Sequence, residues 1–150
     1  MKIYIDADGC PVVRESVEIA KKYGLEIVLV SNISHEWKEN YATIVQVGKG
    51  RDMADFEIVS RISQGDILIT QDYGLAAMAL GKTKYVLHQD GWRYTNDNMD
   101  KLLMMRHVSA KERRKGARTK GPKKRTKMQN EVFYSNLDEI IKKHLNEANN

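Results

Sequence analysis

The chain has 150 residues and a formal net charge of +5, with 41% hydrophobic and 30% charged residues. That is room for one domain with its own core and too little for two. Ten glycines and two prolines exclude collagen-like and low-complexity classes. Apolar runs such as Ile27 to Val30 are far too short for a membrane helix, and the N-terminus carries no signal-like stretch. The lone cysteine, Cys10, has no internal disulfide partner, which suits a reducing cytoplasm.

Strand and helix signals alternate along the first hundred residues. Lys2 to Asp6 reads as a strand. Pro11 suits a first helical turn, Val13, Val17 and Ala20 recur at helical spacing, and Gly24 stops that helix. Glu26 to Val30 is a buried-type strand, followed by a polar connection from Ser31 to Asn40 with room for a short helix. Thr43 to Val47 is a third strand. Asp52 to Gln64 is helical, with Ala54, Ile58 and Ile62 on one face, and Gly65 ends it. Asp66 to Thr70 is a fourth strand, Leu75 to Leu80 a short helix closed by Gly81, and Lys84 to His88 a fifth strand. Asn98 to Lys115 is a further helical region, apolar at first and then basic. Gly116 to Lys127 lacks apolar periodicity and reads as a loop. Ser135 or Asn136 caps a last helix, at about 136–146. The expected architecture is a single α/β domain, residues 1–150. It is a three-layer fold with a mainly parallel five-stranded sheet and helices on both faces.

The charge is unevenly spread. Arg106 to Lys127, the basic arm at about 106–127, holds eleven Lys and Arg and one acid, Glu112, a local net of +10. The remainder is acidic, at −5. An acidic body with a basic arm points to a polyanionic partner, nucleic acid first, set against the plain reading of a solvated charged segment. The candidate contacts are Arg113, Arg114, Lys115, Arg118, Lys120, Lys123, Lys124, Arg125 and Lys127. They lie among Gly and Thr without aromatics, which suits phosphate contact rather than base reading.

Acids gather where strands end. Asp6 and Asp8 follow strand one, and Asp72 follows strand four. Open α/β sheets bind ligands beyond the carboxyl ends of strands, where strand order reverses. If strands one and four are neighbours there, Asp6, Asp8 and Asp72 converge. Asp55 sits on the core-side face of its helix, with Asp52 one turn earlier. Carboxylates brought together repel and hold their protons unless a cation neutralises them. Mg²⁺ or Mn²⁺ is the usual answer to an all-oxygen set. Against this, single aspartates after strands are common turn and cap residues, and Asp6-Ala7-Asp8-Gly9 is turn chemistry in its own right.

Three motifs carry a resemblance. They are Ile5-Asp6-Ala7-Asp8-Gly9-Cys10-Pro11-Val12, Gly50-Arg51-Asp52-Met53-Ala54-Asp55, and Gly65 to Ala76 through Thr70-Gln71-Asp72-Tyr73-Gly74. With Gly121-Pro122-Lys123, Phe133 and Leu137, they resemble the YaiI/YqxD family of small bacterial proteins over nearly the whole chain. Gly9 departs from an expected alanine. That family is in turn similar to PIN-domain nucleases, in which acids cluster at the carboxyl edge of a parallel sheet around Mg²⁺ or Mn²⁺. The resemblance implies Asp6, Asp55 and Asp72 as the catalytic acids. The further acid that many PIN domains carry on an intervening helix has no counterpart here, and Asp8 or Asp52 stands as its substitute.

Other residues carry weaker signals. Cys10 lacks an activating His pattern and reads as a small buried hydrophobe. His35, His88 and His107 lack zinc spacing. Trp92-Arg93-Tyr94 follows strand five, a packing run that is also able to stack bases. Ser31, Asn32, Lys49 and Arg51 stand at strand ends within reach of phosphate. Three functions follow: a metal-dependent phosphodiesterase acting on RNA, a non-catalytic RNA-binding module with a vestigial metal site, and a haloacid-dehalogenase-type phosphatase with Asp6 as nucleophile and Asp8 as acid. Asp6, Asp8, Asp52, Asp55 and Asp72 are the expected metal ligands. No membrane partner is expected, and a homo-oligomer is left open.

Overall fold

A computed structural model describes residues 1–32, 36–50, 52–116 and 124–149. Five parallel strands, β1 (Ile3–Asp6), β2 (Ile27–Asn32), β3 (Thr43–Val47), β4 (Ile67–Ile69) and β5 (Tyr85–Leu87), form one sheet of order β3-β2-β1-β4-β5. The helices are α1 (Val13–Tyr23), α2 (Met53–Arg61), α3 (Tyr73–Ala79), α4 (Asn96–Arg114) and α5 (Lys127–Ala148). The order reverses at β1, which pairs with β2 on one side and β4 on the other, as Ile3 with Ile27 and with Ile67. All five carboxyl ends therefore share one edge.

Side-chain alternation divides the core in two. Ile3, Ile5, Ile27, Leu29, Ile67 and Ile69 pack toward one face with α1 and α5. Tyr4, Val28, Val30, Leu68 and Val86 pack toward the other with α2, α3 and the start of α4. These strands are buried on both faces, hence their near-continuous apolar runs. No helix among the described residues is long and apolar enough to cross a membrane.

Gly24 ends α1 in the left-handed region, at φ 64°, and its N–H bonds back to Lys21. Several boundaries differ from the sequence expectation, by a residue or two at most strand ends and at the start of α4, and by more elsewhere. β2 runs on to Asn32, because Asp8 accepts hydrogen bonds from Ser31 Oγ and Asn32 N and so orders the strand end. α2 stops at Arg61, short of Gln64, because Asp66 Oδ2 takes the Ser63 N–H and pulls Ile62 into an extended turn. α3 begins at Tyr73, because Asp72 caps it by accepting from Leu75 N.

The largest correction is α5. It starts at Lys127, not at Ser135 or Asn136. Thr126 and Gln129 form a reciprocal capping box, which the basic run around them disguises. Phe133, Leu137 and Ile141, all fully buried, then form one continuous stripe against the sheet. Residues 36–42, the described part of the β2–β3 connection, hold no helix. His35, Arg51, Arg118, Lys120 and the Gly121-Pro122-Lys123 motif lie outside the described residues.

The turn after β5 is fitted against α5. Gly91 has φ 93°, and a Cβ there would stand 2.8 Å from Asn136 Nδ2 and 3.0 Å from Phe133 Cα. Asn136 Nδ2 also donates to Gly91 O at 3.2 Å. Phe133 is therefore the joint between α5, the sheet and this turn. Phe133→Ala should cost about 3–5 kcal/mol of folding stability, read as a fall in the urea midpoint with an unchanged slope. A loss under 1 kcal/mol would mean that α5 is not an integral part of the fold.

Candidate functional site

The β1–β4 pairing brings the ends of both strands together. Ile5 lies opposite Ile69, so Asp6 and Thr70 emerge side by side. Thr70 Oγ1 donates to Asp6 Oδ2 at 3.0 Å and accepts from Asp72 N at 3.0 Å. One hydroxyl thus ties the acid of β1 to the acid that opens α3. The Thr70 carbonyl accepts from Tyr94 OH at 3.1 Å, so the turn is also fastened from beneath.

Asp6 shares the face of Tyr4, the α2 and α3 side of the sheet. Burial there pushes its carboxyl up to about 6, and Asp55, Asp72 and Asp8 add repulsion that the Thr70 hydrogen bond only partly offsets. Asp55, half-buried on α2, is raised by burial and by Asp72 and Asp52. The five acids expected from the sequence therefore feel one another across one edge. Their surroundings are unequal. Asp8 has both oxygens engaged with Ser31 and Asn32, at 2.8 and 2.9 Å, and works as a strut between the β1 loop and β2. Asp52 is exposed at the N-cap position of α2.

Among the described residues, no three His, Cys, Asp or Glu side chains stand together as a ready-made metal cage. The carboxylates converge without closing. An all-oxygen edge of this kind offers a few carboxylates to an ion. That is how Mg²⁺ is commonly held, with water and substrate phosphates completing the shell.

Two arginines of the basic segment, Arg106 and Arg125, stand at this same edge, and one of them is bonded there. Arg106 on α4 lines a cleft of ≈ 360 Å³ with Gln71, Asp72 and Tyr73. Arg125, just before α5, donates to Asp90 Oδ1, to Gln89 O at 2.7 Å and through Nε to Asn130 Oδ1 at 2.6 Å. Its guanidinium is committed to protein, and its task is to pin the end of the segment beside β5. Arg113, Arg114 and Lys115 at the end of α4, and Lys124 and Lys127 before and within α5, are exposed.

The other sequence candidates settle as follows. Cys10 is half-buried, and burial pushes its thiol up to about 11, which disfavours the thiolate at neutral pH. His88 is lowered by burial and stacks on Trp92 at 4.5 Å and 9°. Tyr94 is fully buried and cannot stack a base. His107 and Lys49 are exposed. A groove of ≈ 830 Å³ lies at the opposite edge, between Gln64-Gly65 and Thr83-Lys84, which precede β4 and β5. None of the five acids lines it.

Three features escaped the sequence reading. Thr70 was only the end of a strand, although Thr70-Gln71-Asp72 has the two-residue spacing of a hydroxyl turn. Tyr73 gave no signal apart from its place beside Asp72. Glu15, in the first turn of α1, is 9% exposed, and its Oε2 has no hydrogen-bond partner. Helical periodicity alone would have placed that residue near the surface.

Residues 4–143 match the uncharacterised bacterial YaiI/YqxD family. The chain is similar to UPF0178 proteins of Alkaliphilus oremlandii, 50% identical over 95% of each chain, and of Enterococcus faecalis, 46% identical over 97% of this chain and 100% of that one. A UPF0178 protein of Clostridium acetobutylicum is 42% identical over 94% of this chain and 97% of its own. No solved structure matches.

The raised Asp6 makes a stability prediction. Below the unfolded carboxyl value of 3.8 both states hold the proton and there is no penalty. Between there and about 6 the unfolded chain releases it first, so stability falls. Above that the cost is constant, at most about 3 kcal/mol. Asp6→Asn should therefore raise the unfolding free energy at pH 7.5 by about 1–3 kcal/mol, and the gain should vanish by pH 3.5. Urea titrations at both values check it. A variant less stable than the wild type at pH 7.5 would refute the strained-carboxylate account.

Proposed function

The chain belongs to the YaiI/YqxD family, and we propose that it is a metal-dependent phosphodiesterase acting on RNA. One observation carries this reading: the acids of β1, α2 and α3 converge on the edge where Arg106 of the basic segment lines a cleft with Asp72 and Arg125 is bonded to the turn after β5. An acidic edge alone repels a polyanion. A basic segment alone binds one without cutting. Their coincidence supplies capture and chemistry together.

In this reading Asp6, Asp55 and Asp72 hold Mg²⁺ or Mn²⁺, with Asp52 nearby and Asp8 bracing the loop. When bound, the ion supplies charge neutralisation at the phosphodiester and Lewis acidity toward water. The protein's own groups do the rest. Burial at Asp6 makes an uncompensated negative charge costly, which favours a cation there. Thr70 fixes the direction of one Asp6 oxygen and the position of Asp72. Arg106 stands in the cleft beside Asp72, where it can meet a phosphate, and the exposed Arg113, Arg114, Lys115, Lys124 and Lys127 draw the backbone in. The resemblance of Asp6, Asp55 and Asp72 to the acids of PIN-domain nucleases supports the same assignment.

The open arrangement of the carboxylates also favours a second reading, a non-catalytic RNA-binding module. The commitment of both Asp8 oxygens to Ser31 and Asn32 speaks against a phosphatase that uses Asp8 as its acid.

Two measurements separate the readings. Calorimetric titration of Mn²⁺ should show binding to the wild type that disappears in the Asp6→Asn, Asp72→Asn double variant. Cleavage of a fluorescent single-stranded RNA with Mn²⁺ should fall at least 100-fold in the same variant. RNA binding that weakens steeply with salt, with neither Mn²⁺ binding nor cleavage, would overturn the enzyme in favour of the binding module.

A further inference from the structure

The cleft beside Asp72 has a composition that the metal chemistry does not require. Its ≈ 360 Å³ are lined by Gln71, Asp72, Tyr73 and Arg106. Pockets that hold small ligands span roughly 300–1,000 Å³. This one, open to solvent, falls at the lower end of that range. We propose that it is a nucleotide subsite in which Tyr73 stacks one unpaired base while Arg106 holds the adjoining phosphate. The substrate class is then single-stranded rather than duplex nucleic acid. The inference rests on the RNA reading above and narrows it.

The aromatic residues at this edge decide which of them can take a base. Tyr94 is fully buried. Trp92 is half-buried, and His88 lies parallel to it, so one of its faces is already covered. Tyr73 is half-buried and opens on the cleft. Its ring meets Tyr94 edge-on, with centroids 6.0 Å apart and planes at 70°. That contact is edge-to-face and not a parallel stack. Tyr94 is held in turn by its hydrogen bond to Thr70 O, next to the Asp6 bridge. The stacking platform is therefore referenced to the carboxylates through two contacts, Tyr73 to Tyr94 and Tyr94 to Thr70.

Arg106 is suited to the second role. It is exposed, forms no ion pair with a described residue and shares the cleft with Asp72. A fully charged guanidinium there offsets part of the acidic edge and presents a planar fork to phosphate. An aromatic ring beside an arginine is the pair that single-strand binders use without reading sequence.

The test is fluorescence anisotropy with a fluorescein-labelled eight-nucleotide single-stranded RNA and a blunt duplex of the same length. Each is measured in Ca²⁺ and again in EDTA. Tyr73→Leu should weaken single-strand binding by roughly 5- to 100-fold and leave duplex binding unchanged. Tyr73→Phe, which keeps the ring, should bind like the wild type. Arg106→Ala should weaken both and lower the salt slope by about one phosphate contact. An oligonucleotide carrying 2-aminopurine should be quenched by the wild type and by Tyr73→Phe, but not by Tyr73→Leu. Equal single-strand binding by Tyr73→Leu and wild type would overturn the subsite and leave the RNA reading standing. Parallel losses on single strand and duplex in Tyr73→Leu would overturn it too, as a general folding defect. If the wild type binds neither nucleic acid in either condition, the RNA reading fails and the subsite falls with it.

Discussion

The Thr70 hydroxyl is the smallest group on which the candidate site depends. It gives its proton to Asp6 and takes the N–H of Asp72, so a single oxygen sets the relation between β1 and α3. Only parallel neighbours in register allow this. Ile5 opposite Ile69 brings the two strand ends level, and the next residues face each other across the gap. The same turn is fixed on its other side by Tyr94 and through the Thr70 N–H to Leu87 O at 3.0 Å. Asp8 makes the complementary tie to β2 through Ser31 and Asn32. The switch point is thus stitched in both directions, and charged groups make the stitches. Hydrogen bonds to a carboxylate are the stronger kind, which suits a place where like charges otherwise push the strand ends apart.

That repulsion explains the shape of the rest of the edge. An acidic body is joined to a basic segment, and Arg106 and Arg125 of that segment stand at the acidic edge. Arg125 is the firm anchor, with three protein partners and a side chain 20% exposed. Arg106 is the loose one, in a cleft and without an ion pair among the described residues. Between them α4 leaves the body early. Met99 is its buried residue, while Leu103, Met104, Met105 and Val108 are exposed. Local terms sustain such a helix: a Thr95–Asn98 capping box at the start, and Lys111, Arg113 and Arg114 in the last turn against the negative end of the dipole. A helix held this way presents charge without depending on burial.

Much of this was legible in the chain. The apolar runs of β1, β2 and β4 stand out because both faces are buried, and the glycine after α1 stands out because its φ demands it. The convergence of Asp6, Asp8 and Asp72 was readable, given neighbouring strands one and four, from the rule that ligands bind where strand order reverses, whereas Asp55 entered through its helix face and the resemblance. The start of α5 was not, because the Thr126–Gln129 box lies inside a basic run whose charge masks a cap. Thr70 was invisible as a site residue, since its role exists only when β4 lies beside β1. Arg125 read as one more basic residue, although its partners Gln89 and Asp90 lie some 35 residues away in sequence. Long-range pairing of single side chains leaves no local pattern, whereas strands, helices and caps do.

The two cores also separate what the fold needs from what the site needs. Tyr4 and Asp6 share a parity, as do Leu68 and Thr70, so the carboxylate edge belongs to the face covered by α2, α3 and α4. Ile3, Ile5 and Ala7 hold the opposite face, where α1 and α5 pack with Phe133, Leu137 and Ile141. A one-residue slip in β1 would exchange these sets, placing Asp6 under α5 and an isoleucine at the edge. The hydrophobic cost of that exchange is what fixes the register. The strained carboxyl of Asp6 is therefore maintained by residues that never touch it. Burial on both faces of β1 holds in place a charge that the edge itself would expel, and the energy that keeps Asp6 there comes from the core.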